Sequence, residues 1–134
     1  MAAYRAALYE VRLPDQPLAL QVDVHCEALQ SWLGAQGHRC AALLTAHNPA
    51  SQPRDAAANA RAQQQLQAAI SRRGLSFHTG CNRDPRGAWP AEDSLFVPDL
   101  SLEDAHTLAR QFDQRAFLWC DDSGTPRLHD TQPA

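Results

Sequence analysis

Cys40-Ala41-Ala42-Leu43-Leu44-Thr45-Ala46 is a nearly continuous apolar run. Its length and its position between two helical patterns predict a central strand buried on both faces. On its amino side, Asp23 is placed to cap a helix whose inward stripe is Cys26, Leu29, Trp32 and Leu33, with Gly37 just beyond the end. Before that helix, Tyr9, Val11 and Leu13 alternate as one strand and Leu18, Leu20 and Val22 as a second, joined by the turn Pro14-Asp15-Gln16-Pro17.

On the carboxyl side, His47 to Arg54 is irregular and holds Pro49 and Pro53. Asp55 opens a helix to about Arg73, stopped by Gly74, with Ala58, Ala62, Leu66, Ala69 and Ile70 as its packed stripe. Leu75 to Cys81 reads as a third core strand, and Asn82 to Asp93 as a long loop. Ser94 to Val97 is a short strand. Ser101 caps a last helix with Leu102, Ala105, Leu108, Ala109 and Phe112 inward. Arg115 to Cys120 is a strand and Pro126 to His129 an edge strand.

A strand-helix-strand-helix-strand order through the middle predicts right-handed crossovers and three parallel strands. The expected fold class is therefore α/β: a mixed sheet with a parallel central portion, flanked by about three helices, in one domain over residues 1–134 with 130–134 a loose tail.

Composition narrows the function. Hydrophobic residues make up 44% of the chain and charged residues 20%, which fits a folded domain rather than a disordered one. A net charge of −3 gives no electrostatic basis for non-specific nucleic-acid binding. All twelve basic residues are Arg, a usage that, with the many Ala, suggests a GC-rich bacterial genome. No stretch approaches the roughly 20 apolar residues of a membrane helix. The start lacks a signal-peptide pattern, so a cytoplasmic location is expected. The four cysteines show no C-x-x-C pair and are expected reduced. The His and Cys spacings match no zinc pattern, so no metal and no cofactor is expected.

The two irregular segments leave the carboxyl ends of strands and share one edge, the place where sheets of this kind bind ligands. If the strand after the second loop returns antiparallel, Glu92 and Ser94 enter at that edge, and a helical crossover starts Gln114 there too. Asn59, three residues before Ala62 and seven before Leu66, points toward the sheet near Asn48. Asn48, Asn59, Ser94 and Gln114 are thus the candidate ligand-binding residues, and Glu92 is the candidate general acid or base. Asn48-Pro49 also suits a plain turn, and Asn59 also suits a loop tie. Ser51, Ser94 and Cys81 at loop ends, with His47, form only a weak nucleophile pattern.

The segments Thr45-Ala46-His47-Asn48-Pro49, Ser51, Asn59, Glu92-Asp93-Ser94 and Phe112-Asp113-Gln114-Arg115-Ala116 resemble those of the bacterial family called domain of unknown function 3293. His47 and Asp113 stand where that pattern carries an aromatic residue and a Gly. The resemblance covers most of the chain and implies a common fold and a shared polar edge, with no assigned reaction. Two readings stay open: binding or conversion of a small polar ligand at this edge, or an interaction or regulatory module whose polar cluster only fastens two loops.

Overall fold

A computed structural model describes residues 2–47 and 53–132. Asn48 and Ser51 lie outside the described residues. The elements in chain order are α1 (Ala2–Ala6), β1 (Leu8–Arg12), β2 (Pro17–Leu20), α2 (Glu27–Gln36), β3 (Cys40–Leu44), α3 (Ala56–Arg72), β4 (His78–Arg83), β5 (Glu92–Pro98), α4 (Leu102–Gln111), β6 (Ala116–Asp121) and β7 (Arg127–Asp130).

The strands form one seven-stranded sheet in the order β2-β1-β4-β5-β3-β6-β7. Every neighbouring pair is antiparallel. The expected parallel central portion is therefore wrong. β2, β3 and β4 do run in the same direction, but β1 separates β2 from β4, and β5 separates β4 from β3. A crossover helix fixes strand direction, and it leaves room for a later strand to pair between the two it joins. β5 takes such a place, hydrogen-bonded to both β3 and β4.

β3 is interior, and its side chains divide between two cores. Ala41 and Leu43 join Phe96, Leu118, Val11, Leu29, Trp32 and Leu33, the last three from α2. Ala42 and Leu44 join Leu95, Val97 and Phe117, with Leu66 and Ile70 from α3 and Leu108 from α4. The apolar run at 40–46 is continuous because both faces of its strand are covered.

Local signals set the helix ends. The Asp55 carboxylate accepts from the Ala58 N–H at 2.7 Å, and the Ser101 hydroxyl from the Asp104 N–H at 3.1 Å. Gly37 closes α2 in the left-handed region at φ 74°. Asp23 does not cap α2. The N-cap is Cys26, and Asp23, at φ 65°, instead holds Arg5 and Arg127, each at 3.0 Å. β4 begins three residues later than expected and is only partly buried, and Phe112 is half-buried. α1 had no counterpart in the sequence reading. No helix among the described residues is long and apolar enough to cross a membrane.

Burial holds the imidazoles of His78 and His129 below their ordinary range, each reinforced by a neighbouring histidine, His38 and His106 respectively. A histidine kept neutral in the native state contributes stability that is complete above its unfolded value near 6.5 and fades as pH falls toward the lowered one. The melting temperature is expected to drop between pH 7 and pH 5, and to drop less in the double variant His78→Asn, His129→Asn. The lowered carboxylates Asp23 and Asp99 titrate below that window and do not confuse it. An unchanged slope in the double variant would show that other groups set the acid sensitivity.

Candidate functional site

The antiparallel register aligns polar side chains at one edge. Tyr9 of β1 lies opposite Asn82 of β4, and Asn82 lies opposite Glu92 of β5. Directly opposed residues share a face, so all three project to the side that also carries Leu43 and Leu118. Continued past Leu44, the register of β3 sets His47 opposite Glu92 on one side and opposite Gln114 on the other. The Gln114 side-chain amide accordingly donates to the His47 carbonyl at 3.0 Å. Tyr9, Asn82 and Glu92 on β1, β4 and β5, with His47 and Gln114 just beyond the ends of β3 and β6, thus form one row along the sheet edge. At about 4.8 Å per strand it is roughly 19 Å long.

All five line a cavity of about 640 Å³. Its apolar wall includes Ala7, Leu43, Ala116, Leu118 and Leu128. Tyr4 of α1 covers one side, held by its carbonyl, which accepts from the Tyr9 hydroxyl at 2.6 Å. Trp89 and Pro90 enter from the β4–β5 loop. That loop is shaped by Asp84, whose carboxylate accepts from the N–H groups of Arg86 (3.1 Å) and Ala88 (2.8 Å). Gly87, at φ 70°, makes the turn between them.

Asn59 joins the same cavity from the first turns of α3, with Arg54 just before the helix. The body of α3 packs on the opposite face from the polar row, so Asn59 reaches the cavity at the sheet edge and not from the row's own side. Asn59 is 7% exposed and its amide donates to the Arg54 carbonyl at 3.5 Å. One turn further, buried Gln63 accepts from the Ala46 N–H at 2.9 Å and so fastens α3 to the exit of β3.

Of the sequence candidates, Asn59, Glu92 and Gln114 line this one cavity. Ser94 is not among the described lining residues. It is 1% exposed, with its hydroxyl oxygen packed over Gly80 and without a partner among the described residues. Tyr4, Tyr9, Asn82 and Trp89 were missed. The signal for Asn82 was its position two residues beyond Gly80, on the same face of β4. Tyr9 reads from sequence as an ordinary core residue of an alternating strand.

The chemistry of the wall is mostly neutral. Burial raises the Tyr9 hydroxyl well above the usual phenol range, with Tyr4 and the Glu92 carboxylate adding to it, so Tyr9 remains protonated near neutral pH. The Nδ1 atom of His47 and the Oδ1 atom of Asn82 are buried without a partner among the described residues. Such atoms cost about 1–3 kcal/mol each when left unsatisfied. Cys81 is no activated nucleophile, because burial and then Glu10 raise its thiol. All four cysteines are free. No group of three or more metal-ligating side chains occurs among the described residues.

The sequence model of a family described as "Protein of unknown function (DUF3293)" matches residues 44–117, more than half of the chain. That span runs from the end of β3 to the start of β6 and includes Asn59, Asn82, Glu92 and Gln114. No curated protein and no solved structure matches the chain.

Proposed function

The chain belongs to the family described as protein of unknown function DUF3293, and since that membership carries no activity, we propose from the cavity that the protein binds a small polar organic molecule at this sheet edge. The observation that carries the reading is a 640 Å³ cavity with an apolar wall and a single convergent polar row. That size and composition are typical of small-molecule sites. A cluster that only fastened loops would be expected to fill its own space with mutual hydrogen bonds, whereas this row borders open volume. Glu92 is the one carboxylate among the described lining residues, and a general acid or base role falls to it if the ligand is converted.

A thermal-shift panel of metabolites, tested on the wild type and on Ala116→Leu, checks the reading. Ala116 lines the cavity, and a larger side chain there occupies its volume. A ligand present at about a hundred times its dissociation constant adds about 2.7 kcal/mol, a shift of roughly 10 °C for a domain of this size. That shift is expected in the wild type and is expected to shrink in Ala116→Leu. Equal shifts in both proteins, or none in the wild type, would contradict a ligand site here.

A further inference from the structure

We propose that α1 is a strap that closes over the cavity and releases it as a unit, so that a latch outside the cavity sets access to the polar row. Access is a property of the chain alone, so it is measured without a ligand and independently of whether the cavity holds one.

α1 is separable from the sheet. It has five residues, Ala2–Ala6, far fewer than the roughly 12–15 at which a helix begins to hold by itself in water. Its shape therefore depends on what it lies against. Ala3, Arg5 and Ala6 are exposed and Tyr4 is half-buried. Ala3 and Tyr4 line the cavity, as does Ala7, the residue that follows the helix. Ala7 is 3% exposed and packs in the same core as Tyr9 and Val11, so it is the fixed end from which α1 turns. The pairing of β1 with β2 and β4 runs from Leu8 to Arg12, so α1 can swing away without breaking a ladder bond.

Two contacts tie the strap down at different places. The Tyr9 hydroxyl donates to the Tyr4 carbonyl at 2.6 Å, at the cavity wall. The Arg5 guanidinium pairs with the Asp23 carboxylate at 3.0 Å, and neither residue is among the described lining residues. Asp23 is a fixed post. Its N–H donates to the Pro126 carbonyl at 2.8 Å, its other carboxylate oxygen holds Arg127 at 3.0 Å, and close by the Cys26 N–H donates to the Gly124 carbonyl at 2.9 Å. The post stays with the end of β6 and the start of β7 whether or not Arg5 is bound to it. An ion pair this exposed changes an equilibrium by up to about fivefold, which is weak enough to open and is screened by salt. The Tyr9 bond, between neutral groups, changes it by about two- to tenfold. Both contacts sit on one short helix, so their factors multiply if it is released as a unit.

Ala116→Cys places a thiol on the cavity wall, and its rate of alkylation by iodoacetamide, followed by peptide mass, reports access. In that background Arg5→Ala is expected to raise the rate about two- to fivefold. Tyr9→Phe is expected to raise it about two- to tenfold, and the two together by roughly the product. Raising the salt concentration should speed labelling while Arg5 is present and have little effect in Arg5→Ala. Half-buried Cys81, which is not among the described lining residues, is the control and should keep its rate. If Arg5→Ala leaves the rate at the new thiol unchanged, α1 is a fixed wall and the strap is overturned, with the ligand site untouched. Equal gains at the new thiol and at Cys81 would overturn it as well, since they report general loosening. Should Ala116→Cys fail to fold, amide exchange decides with Ala116 kept. In Arg5→Ala and Tyr9→Phe, α1 should then lose protection while β1 keeps its own. A loss shared by both elements, or seen in neither, would overturn the strap.

Discussion

Leu108→Ala is expected to lower the free energy of unfolding by about 2–5 kcal/mol, the range for emptying a large aliphatic site in a packed core. Leu108 is 1% exposed and lies among Leu44, Leu66, Val97 and Phe117, where α4 closes one face of the sheet. Its neighbours come from different elements and from the rigid centre of the sheet, so the space it leaves cannot collapse easily. Urea titration measures the loss, since the midpoint falls while the slope stays nearly constant. Exposed Thr107, one residue earlier, is the control: Thr107→Ala should stay within roughly 0.5 kcal/mol. A comparably small loss for Leu108→Ala would mean that α4 is not seated on the sheet as described.

Gly80→Ala is expected to be the second most damaging small change, at about 1–3 kcal/mol. A Cβ at Gly80 would lie 2.3 Å from the Glu10 carbonyl oxygen and 2.9 Å from the Ser94 hydroxyl. The serine oxygen can rotate away, but the carbonyl belongs to the backbone of β1, so the β1–β4 pairing must shift. That pairing carries Tyr9 opposite Asn82, hence one end of the polar row. Hydrogen exchange should show lost protection in β1 and β2, with β3, β5 and β6 far less affected, because only β1 joins β2 to the rest of the sheet. Intact protection in β1 would refute the tight contact.

The same contrast between local and long-range information explains what was legible in the sequence. Asp55 and Ser101 cap their helices, and Gly37 ends α2, because these signals act within a turn of chain. The 40–46 run reads as a doubly covered strand because burial leaves its mark on every residue. Strand neighbours leave no such mark: nothing within β5 states that it pairs between β3 and β4, and so the parallel centre was expected where none exists. Asn59, Glu92 and Gln114 were nonetheless grouped, because the grouping depended on strand directions, and β5 and β6 both run opposite to β3. Asn82 and Tyr9 are not legible in the sequence because their place in the row depends on register between distant strands. Ser94 lies one pair further in than Glu92, over Gly80, and is not among the described residues that line the cavity.

The ligand reading is tested most directly by the position of a bound molecule. Crystals grown with the strongest stabiliser from the metabolite panel should show its density in the 640 Å³ cavity, within hydrogen-bonding distance of Asn82, Glu92 or Gln114. Density lodged instead in the smaller cleft around Trp32, His38 and Asp99, with the polar row untouched, would contradict it.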